Sequence, residues 1–348
     1  MPDIMRGALH DGGDKVNFRD DLAMPAPFPG SALIRVRQSG ICGSDLHMNN
    51  ERTEQQVVPS GHEVTGEIVE LPDGETDLQV GDRVAIETIG AGQACLNCWY
   101  CRSGQYRHCQ NKSGDTGGGF AEYMTRKPAG LFKLTDDMDW TDGALVEPLA
   151  VSVHAVRWGG MAPGDTVAVV GSATIGLTAI AAARHLGAGK IIASAKYDQQ
   201  KMAAAAMGAD IVVGSEPGEL EEAARDETDG RGADIVLESI GGTRSDTLVQ
   251  SLETCRPQGK AIIIGGFRDP FEFDFMRPML QEKTVLLSSC YGVVDGHHDY
   301  EVSIDILASG RTPLREMVTH RVSLEEIQEG FDLAYDKSSG SLKVHVEV

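Results

Sequence analysis

Six short apolar runs, TVAVV, IIAS, IVV, ADIVLES, KAIIIGG and TVLLSSC, lie between Pro163 and Cys290 and alternate with helix-forming stretches. Runs that are apolar at every position suit strands buried on both faces, and a strand that returns parallel to its neighbour needs a helical crossover. The first run passes through GSATIG into the small-residue helix IGLTAIAAARHLGA and then into IIAS, which is a βαβ unit. The pattern predicts a doubly wound parallel sheet of the α/β class. Upstream, from Ser31 to about Val84, alternating stretches such as SALIRVR and EVTGEIVEL are divided by Gly, Pro and Asp and predict a β-rich, barrel-like region. After about Cys290 the chain is mixed, with a helix near YEVSIDILASG and a terminal strand LKVHVEV. Neither repeats nor a low-complexity linker divides the 348 residues, so the domains are expected to be closely joined.

The chain carries 31 Lys and Arg against 52 Asp and Glu, a formal net charge of −21, which repels phosphates and argues against nucleic-acid binding. An apolar content of 41% is enough for packed cores. No apolar run approaches the roughly 20 residues that span a bilayer, and the opening MPDIMRGALHDGG lacks the apolar stretch of a signal peptide. No membrane association is expected, and the expected location is the cytoplasm. Seven cysteines, an odd number without a secretory signal, do not suggest a disulfide framework.

Four of those cysteines, Cys95, Cys98, Cys101 and Cys109, fall within AGQACLNCWYCRSGQYRHC. Their thiolates are close enough in sequence to wrap a tetrahedral ion at about 2.3 Å per bond, and zinc fits best. An iron–sulfur cluster would prefer a shorter last gap followed by proline, whereas Gln110 follows a gap of seven residues. Trp99 and Tyr100 are expected to cover this lobe, and Cys255 and Cys290 read as small core hydrophobes. A second, distributed set comprises Cys42 in GICGSDLH, His62 and Glu63 in PSGHEVTG, and Glu147 in ALVEPLA. A catalytic zinc takes about three protein ligands and keeps one position open, which Cys42, His62 and one or both glutamates could supply. Taken singly, His62 reads as a turn histidine and Glu147 as a helix N-terminal acid ahead of Pro148. His297 and His298 are expected in an exposed turn.

Together with VGDRV, GGGFAEY and VEPLAV, these motifs resemble the zinc-dependent medium-chain alcohol and polyol dehydrogenases over essentially the whole chain, in that family's order and approximate spacing. The subgroup resembled is that of sorbitol, idonate, threonine and butanediol dehydrogenases, because Glu147 stands where other alcohol dehydrogenases carry a cysteine. The resemblance implies a GroES-like catalytic domain over residues 1–150 with a zinc lobe at 95–109, a Rossmann domain over 151–290, and a return of 291–348 to the catalytic domain. It implies two zinc ions per chain, one structural on the four cysteines and one catalytic on Cys42, His62 and either Glu63 or Glu147. Ser44 is implied to take the alcohol proton, His47 to pass it to solvent, and Asp45 to orient the ligand histidine. The implied reaction is reversible hydride transfer between a secondary alcohol (a polyol, diol or hydroxy acid) and NAD(P), with a small-molecule alcohol or ketone as partner. A mainly reductive ketone or aldehyde reductase is the alternative within enzymes, and a zinc-stabilised binding or regulatory protein the alternative outside them. A homodimer or homotetramer is implied by analogy. LLSSCYGVVDGHHDY lacks the arginine that polyol dehydrogenases often place after the sixth strand, which weakens a sugar-alcohol assignment.

Gly171, Ser172, Ala173, Thr174, Ile175 and Gly176 form the strand-to-helix turn expected to meet the dinucleotide phosphates, with Ala173 in place of the usual middle glycine. Gly265 in IIIGG and Lys343 in the terminal strand are further candidate cofactor contacts. NAD-specific folds place an acid about 20 residues past the glycine turn to bond the ribose hydroxyl. That position is Ala195, followed by Lys196, which could offset a 2′-phosphate, and Asp198 is expected to cap the next helix. NADP(H) is therefore expected over NAD(H).

Overall fold

A computed structural model describes residues 3–11, 15–46, 56–74, 76–113 and 117–348. Contacts divide the chain into two units, Met1–Glu147 with Asp295–Ala308 and Arg315–Val348, and Pro148–Val294 with Ser309–Leu314. In chain order the first unit supplies β1 (Ile4–His10), β2 (Val16–Ala23), β3 (Ala32–Gly40), the helical turn α1 (43–46), β4 (Glu63–Glu70), β5 (Arg83–Glu87), α2 (Trp99–Arg102), β6 (Tyr123–Arg126), β7 (Leu131–Lys133) and the start of α3 (Trp140–Trp158). The second supplies β8 (Thr166–Val170), α4 (Thr174–His185), β9 (Lys190–Ser194), α5 (Asp198–Met207), β10 (Ile211–Val213), α6 (Glu219–Asp226), β11 (Ala233–Glu238), α7 (Asp246–Thr254), β12 (Cys255–Ile263), α8 (Met276–Leu280), β13 (Thr284–Leu287) and β14 (Val293–Val294). The chain then returns to the first unit with β15 (His297–His298), α9 (Asp299–Ala308), β16 (Val318–Ser323), α10 (Ile327–Tyr335) and β17 (Lys343–Glu347).

The six apolar runs become one parallel sheet in the order β10-β9-β8-β11-β12-β13. Strand order reverses between β8 and β11, which opens a crevice at the carboxyl ends of those two strands. In the first unit β16, β17, β3, β4, β5 and β7 pair in that order, with β6 also on β3. Alternation in β3, β4 and β5 places Ile34, Val36, Val64, Ile68, Val84 and Ile86 in one apolar cluster. Each such side chain stabilises the fold by about 1.5–3 kcal/mol relative to exposure. The terminal strand lies antiparallel to β3, with His345 opposite Gly40, so the last residues complete a sheet begun three hundred residues earlier. Among the described residues no helix is long and apolar enough to cross a membrane.

Several local expectations are corrected. Glu147 lies well inside α3, not at a helix start, because Pro148 is accommodated within the helix. Asp198 is the first residue of α5 and does not cap it; the Gln200 side chain instead accepts the Lys196 and Tyr197 N–H groups at 3.3 Å each. His298 is buried, its ring centroid 4.6 Å from that of Phe132 and its Nε2 3.5 Å from the Glu87 carboxylate, while His297 is exposed as expected. Cys255 is a core residue whose thiol is pushed up to about 11 by burial, but Cys290 is only half-buried and adopts φ +59°.

Candidate active site

The turn after β3 builds the first cluster. Asp45, on α1, is fully buried; its Oδ2 accepts the N–H of Cys42 at 2.9 Å, and Oδ1 lies 3.5 Å from Nδ1 of His62. One carboxylate thus ties down the turn carrying Cys42 and stands beside the ring of His62. Ser44 Oγ lies 3.5 Å from the other ring nitrogen, Nε2. His62 and Glu63 stand at the start of β4, and the donor atoms of Cys42, His62 and Glu63 all lie within 4.8 Å of one another. Burial would lower the His62 pKa, but Asp45, Cys42 and Glu147 outweigh it and hold the value well above the ordinary one. Glu147 is pushed up to about 7 by burial, with Glu63 and Asp45 acting in the same direction and His62 and Lys343 against it. Glu63 Oε1 is buried without a hydrogen-bond partner among the described residues. A thiol, an imidazole and acids gathered around an unsatisfied carboxylate oxygen suit a divalent cation of borderline softness, and zinc fits that donor set. His47 lies outside the described residues.

Lys343 sits beneath this cluster. Sequence reasoning placed it with the cofactor; the structure puts its buried Nζ in an ion pair with Glu63 Oε2 and in a hydrogen bond to the Ile41 carbonyl at 2.9 Å. Gly40 makes this possible, since a Cβ there would run into the Glu63 carboxylate and lie 2.9 Å from Lys343 Cε. Neither the Glu63–Lys343 pair nor the need for Gly40 has a local sequence signal, because the partners are separated by most of the chain.

The four lobe cysteines also bring their sulfurs within 4.8 Å of one another. Cys98 Sγ is 3.5 Å and Cys95 Sγ 3.9 Å from Cys101 Sγ, and the backbone N–H of Cys95 donates to Cys109 Sγ at 3.2 Å. The Asn97 N–H draws the Cys95 thiol down to about 6, the Gln110 N–H lowers Cys98, and burial pushes Cys101 up to about 12. Four thiols held this close, with backbone donors aimed at sulfur, fit a closed tetrahedral site with no open position. Trp99 packs edge-on against Tyr100 but is 62% exposed, so it covers the lobe only in part.

In the second unit Gly171 adopts φ +89°, and a Cβ on Gly176 would strike the Gly171 carbonyl, so both glycines are required by the turn. Ser172 donates to the Ser194 carbonyl at 2.8 Å, and Ser194 Oγ accepts the Gly171 N–H at 3.0 Å. Ala173 is an exposed residue in extended conformation just ahead of α4, with Thr174 and Ile175 opening the helix. Its methyl therefore stands at the surface of the turn and does not close it. A turn this tight at a helix N-terminus, next to the sheet's switch point, fits the pyrophosphate of a dinucleotide. Ala195 is buried at the end of β9, Lys196 is exposed beside the Tyr197 ring, and Gly265 follows β12 where a Cβ would meet Gly241 and Glu238.

Comparison with known proteins agrees with this pairing of a metal cluster and a dinucleotide turn. The model of the alcohol dehydrogenase GroES-like domain matches residues 28–136, and that of the zinc-binding dehydrogenase matches 174–309. The chain belongs to the zinc-dependent medium-chain alcohol and polyol dehydrogenases, and it is an oxidoreductase acting on CH–OH donors with a nicotinamide cofactor. Among its relatives, sorbitol dehydrogenase of Bacillus subtilis (strain 168) is 30% identical over 99% of this chain and 98% of that one. L-threonine 3-dehydrogenase of Pyrococcus horikoshii is 32% identical over 92% of this chain and 93% of that one. A solved structure from Sinorhizobium meliloti 1021, described as a zinc-binding dehydrogenase bound to NADP, superposes with a TM-score of 0.85 at 26% identity and covers 100% of each chain.

Proposed function

We propose that this enzyme oxidises a secondary alcohol within a polyol, diol or hydroxy acid and reduces the corresponding ketone, using NADP(H) and two zinc ions per chain. The observation that carries the reading is the convergence of Cys42, His62 and Glu63 donor atoms within 4.8 Å, with Ser44 Oγ 3.5 Å from the His62 ring. The relatives named for sorbitol and L-threonine support the substrate class, since both compounds carry secondary hydroxyls.

Zinc held by Cys42, His62 and a glutamate would supply a Lewis acid for the substrate oxygen, and a dinucleotide seated by its phosphates on the Gly171–Gly176 turn would supply the hydride acceptor. Asp45 keeps the His62 ring in one orientation. Lys343 holds Glu63 through its ion pair, and among the described residues no lysine forms an ion pair with the neighbouring carboxylate Glu147. Ser44 accepts the hydroxyl proton and His47 passes it to solvent. In the second unit Gly171 and Gly176 keep the turn open to phosphate, and Lys196 meets the 2′-phosphate at a strand end that carries no acid. Asp198 does not compete for the ribose: its side chain is 94% exposed and pairs with Lys201 at 3.5 Å.

The assembly is a dimer through β13. This strand is an edge of the parallel sheet, Val285 and Leu287 on it are 42% and 76% exposed, and Phe275, Met276, Met279 and Leu280 on and before α8 are exposed as well. An apolar edge of this kind is a template for pairing with a second copy.

The test is a screen of secondary alcohols and their ketones with each nicotinamide, followed at the reduced-cofactor absorbance band, on wild type and Ala195→Asp. Wild type should turn over with higher kcat/KM for NADP(H), and the added carboxylate should reverse that preference. A wild type that prefers NAD(H) overturns the cofactor assignment, and no turnover with any alcohol overturns the substrate class.

A further inference from the structure

Glu238 is the last residue of β11 and lies in register with Val170, which ends β8, and with Ile263, which ends β12. It is fully buried. Oε1 accepts the N–H groups of Ile240 at 3.0 Å and Gly241 at 2.8 Å, and its own carbonyl accepts those of Ile264 at 2.9 Å and Gly265 at 3.1 Å. The carboxylate therefore stands where two glycine turns meet: Gly241 has φ +65°, Gly242 donates to the Gly266 carbonyl at 2.9 Å, and Gly242 and Gly266 leave open space on their outer sides. Among the described residues Oε2 has no hydrogen-bond partner and no lysine or arginine pairs with this acid, and a Cβ on Gly265 would lie 2.5 Å from Oε2.

A buried carboxylate oxygen with neither donor nor cation is expensive to keep, and an uncharged side chain of the same size could brace the turn equally well. A cation bound over the turn would supply the missing partner. In a doubly wound sheet the dinucleotide crosses the crevice at the switch point, with its adenosine half on the β9 side and its nicotinamide half therefore over the ends of β11 and β12. The nicotinamide ring is cationic when oxidised and neutral once it has taken a hydride. We infer that Glu238 is the counter-charge to the oxidised nicotinamide, a buried acid under the glycine floor that tightens binding of the oxidised cofactor relative to the reduced one. Its action is through space across the backbone of Gly241 and Gly265, so it biases the redox poise of the bound cofactor without touching substrate. The inference rests on a dinucleotide occupying the Gly171–Gly176 turn.

The test measures dissociation constants by fluorescence and calorimetric titration of the oxidised cofactor, the reduced cofactor and the nicotinamide-free fragment 2′-phospho-ADP-ribose, or ADP-ribose if NAD(H) is the form bound. Glu238→Gln keeps an acceptor for the two N–H groups and removes the charge. The ratio of oxidised to reduced dissociation constants should rise about tenfold, as expected for one charge pair several ångströms apart at low effective dielectric, while fragment affinity is unchanged. Ile240→Lys, at a position 55% exposed, keeps the Glu238 carboxylate and its backbone hydrogen bonds, adds a cation two residues along the same turn and should raise the same ratio, which keeps the test available if Glu238→Gln folds poorly. Binding of both cofactor forms with an unchanged ratio in both variants overturns the inference and leaves the cofactor reading standing. A parallel loss of fragment affinity in Glu238→Gln, with the ratio unmoved, assigns Glu238 to bracing the turn alone and also overturns it. A wild type that binds neither nicotinamide form overturns the cofactor reading itself.

Discussion

The Asp45 carboxylate meets both the Cys42 turn and the His62 ring, and the proton-transfer role proposed for its neighbour Ser44 needs no contact with metal. That division predicts different failures. Asp45→Asn weakens the orientation of His62 and should lower affinity for the metal at the Cys42 site by about 10–100-fold, read by competition with a chelator. Ser44→Ala should leave zinc content as in wild type and lower kcat by roughly 10²-fold, since proton transfer contributes on that order. Zinc loss in Ser44→Ala, or full activity with full zinc, would remove Ser44 from the proton path. Both residues are readable in GICGSDLH, but the 3.5 Å approach of Asp45 and Ser44 to opposite nitrogens of one ring depends on β3 and β4 being sheet neighbours.

Two elements hold their units together by different means. The lobe around α2 buries little more than its own sulfurs and Ala94, with Tyr106 half-buried against them, so its stability should come from metal. Cys98→Ser is expected to lose one zinc per chain and to lower Tm by on the order of 5 °C or more, while protein that remains folded keeps its turnover. Unchanged metal content and Tm would show that the lobe stands without a metal. In the parallel sheet, Asp234 on β11 accepts from Arg256 Nε at 2.6 Å and from the Thr166 N–H at 2.8 Å, joining the starts of β8, β11 and β12. Burial would raise the Asp234 pKa, but the Arg256 and Thr166 hydrogen bonds outweigh it and hold it below the ordinary value. A depressed carboxyl stabilises the folded state above its unfolded pKa of about 3.9, and that stabilisation is lost as pH falls through the lower folded value. Asp234→Asn should therefore cost about 1–2 kcal/mol at pH 7 in urea unfolding, with the difference from wild type shrinking below roughly pH 4. A gap that stays constant with pH would mean that Asp234 acts through packing.

At the scale of the molecule, a net charge of −21 keeps chains apart at long range, so association requires an apolar patch large enough to overcome it. The exposed apolar side chains of the β13 edge, Val285 and Leu287, are the ones the proposed dimer would use. Leu287→Lys should convert a dimer to single chains in light scattering and raise the salt concentration at which dimer reforms. A wild type with the mass of one chain, or a Leu287→Lys variant with unchanged mass, removes β13 from the assembly.

The alternation of apolar runs with helices was enough to predict the parallel sheet, because its central strands are buried on both faces and have no polar positions to spare; the edge strand β13 is equally apolar in sequence but largely exposed. The cysteine spacing and the GICGSDLH, GHE and VEPLAV motifs likewise point to two metal clusters, since ligand chemistry tolerates few residue types. What local sequence does not contain is partnership across distance. The ion pair of Lys343 with Glu63, the empty space that Gly40 leaves for it, the burial of His298 against Phe132 and Glu87, and the isolation of Glu238 beneath two glycine turns each join residues from separate segments. Propensity and spacing act over a few residues, whereas these contacts exist only once β17 has paired with β3 and β12 with β11; tertiary structure alone decides that the buried acid Glu63 meets a lysine and that Glu238, among the described residues, does not.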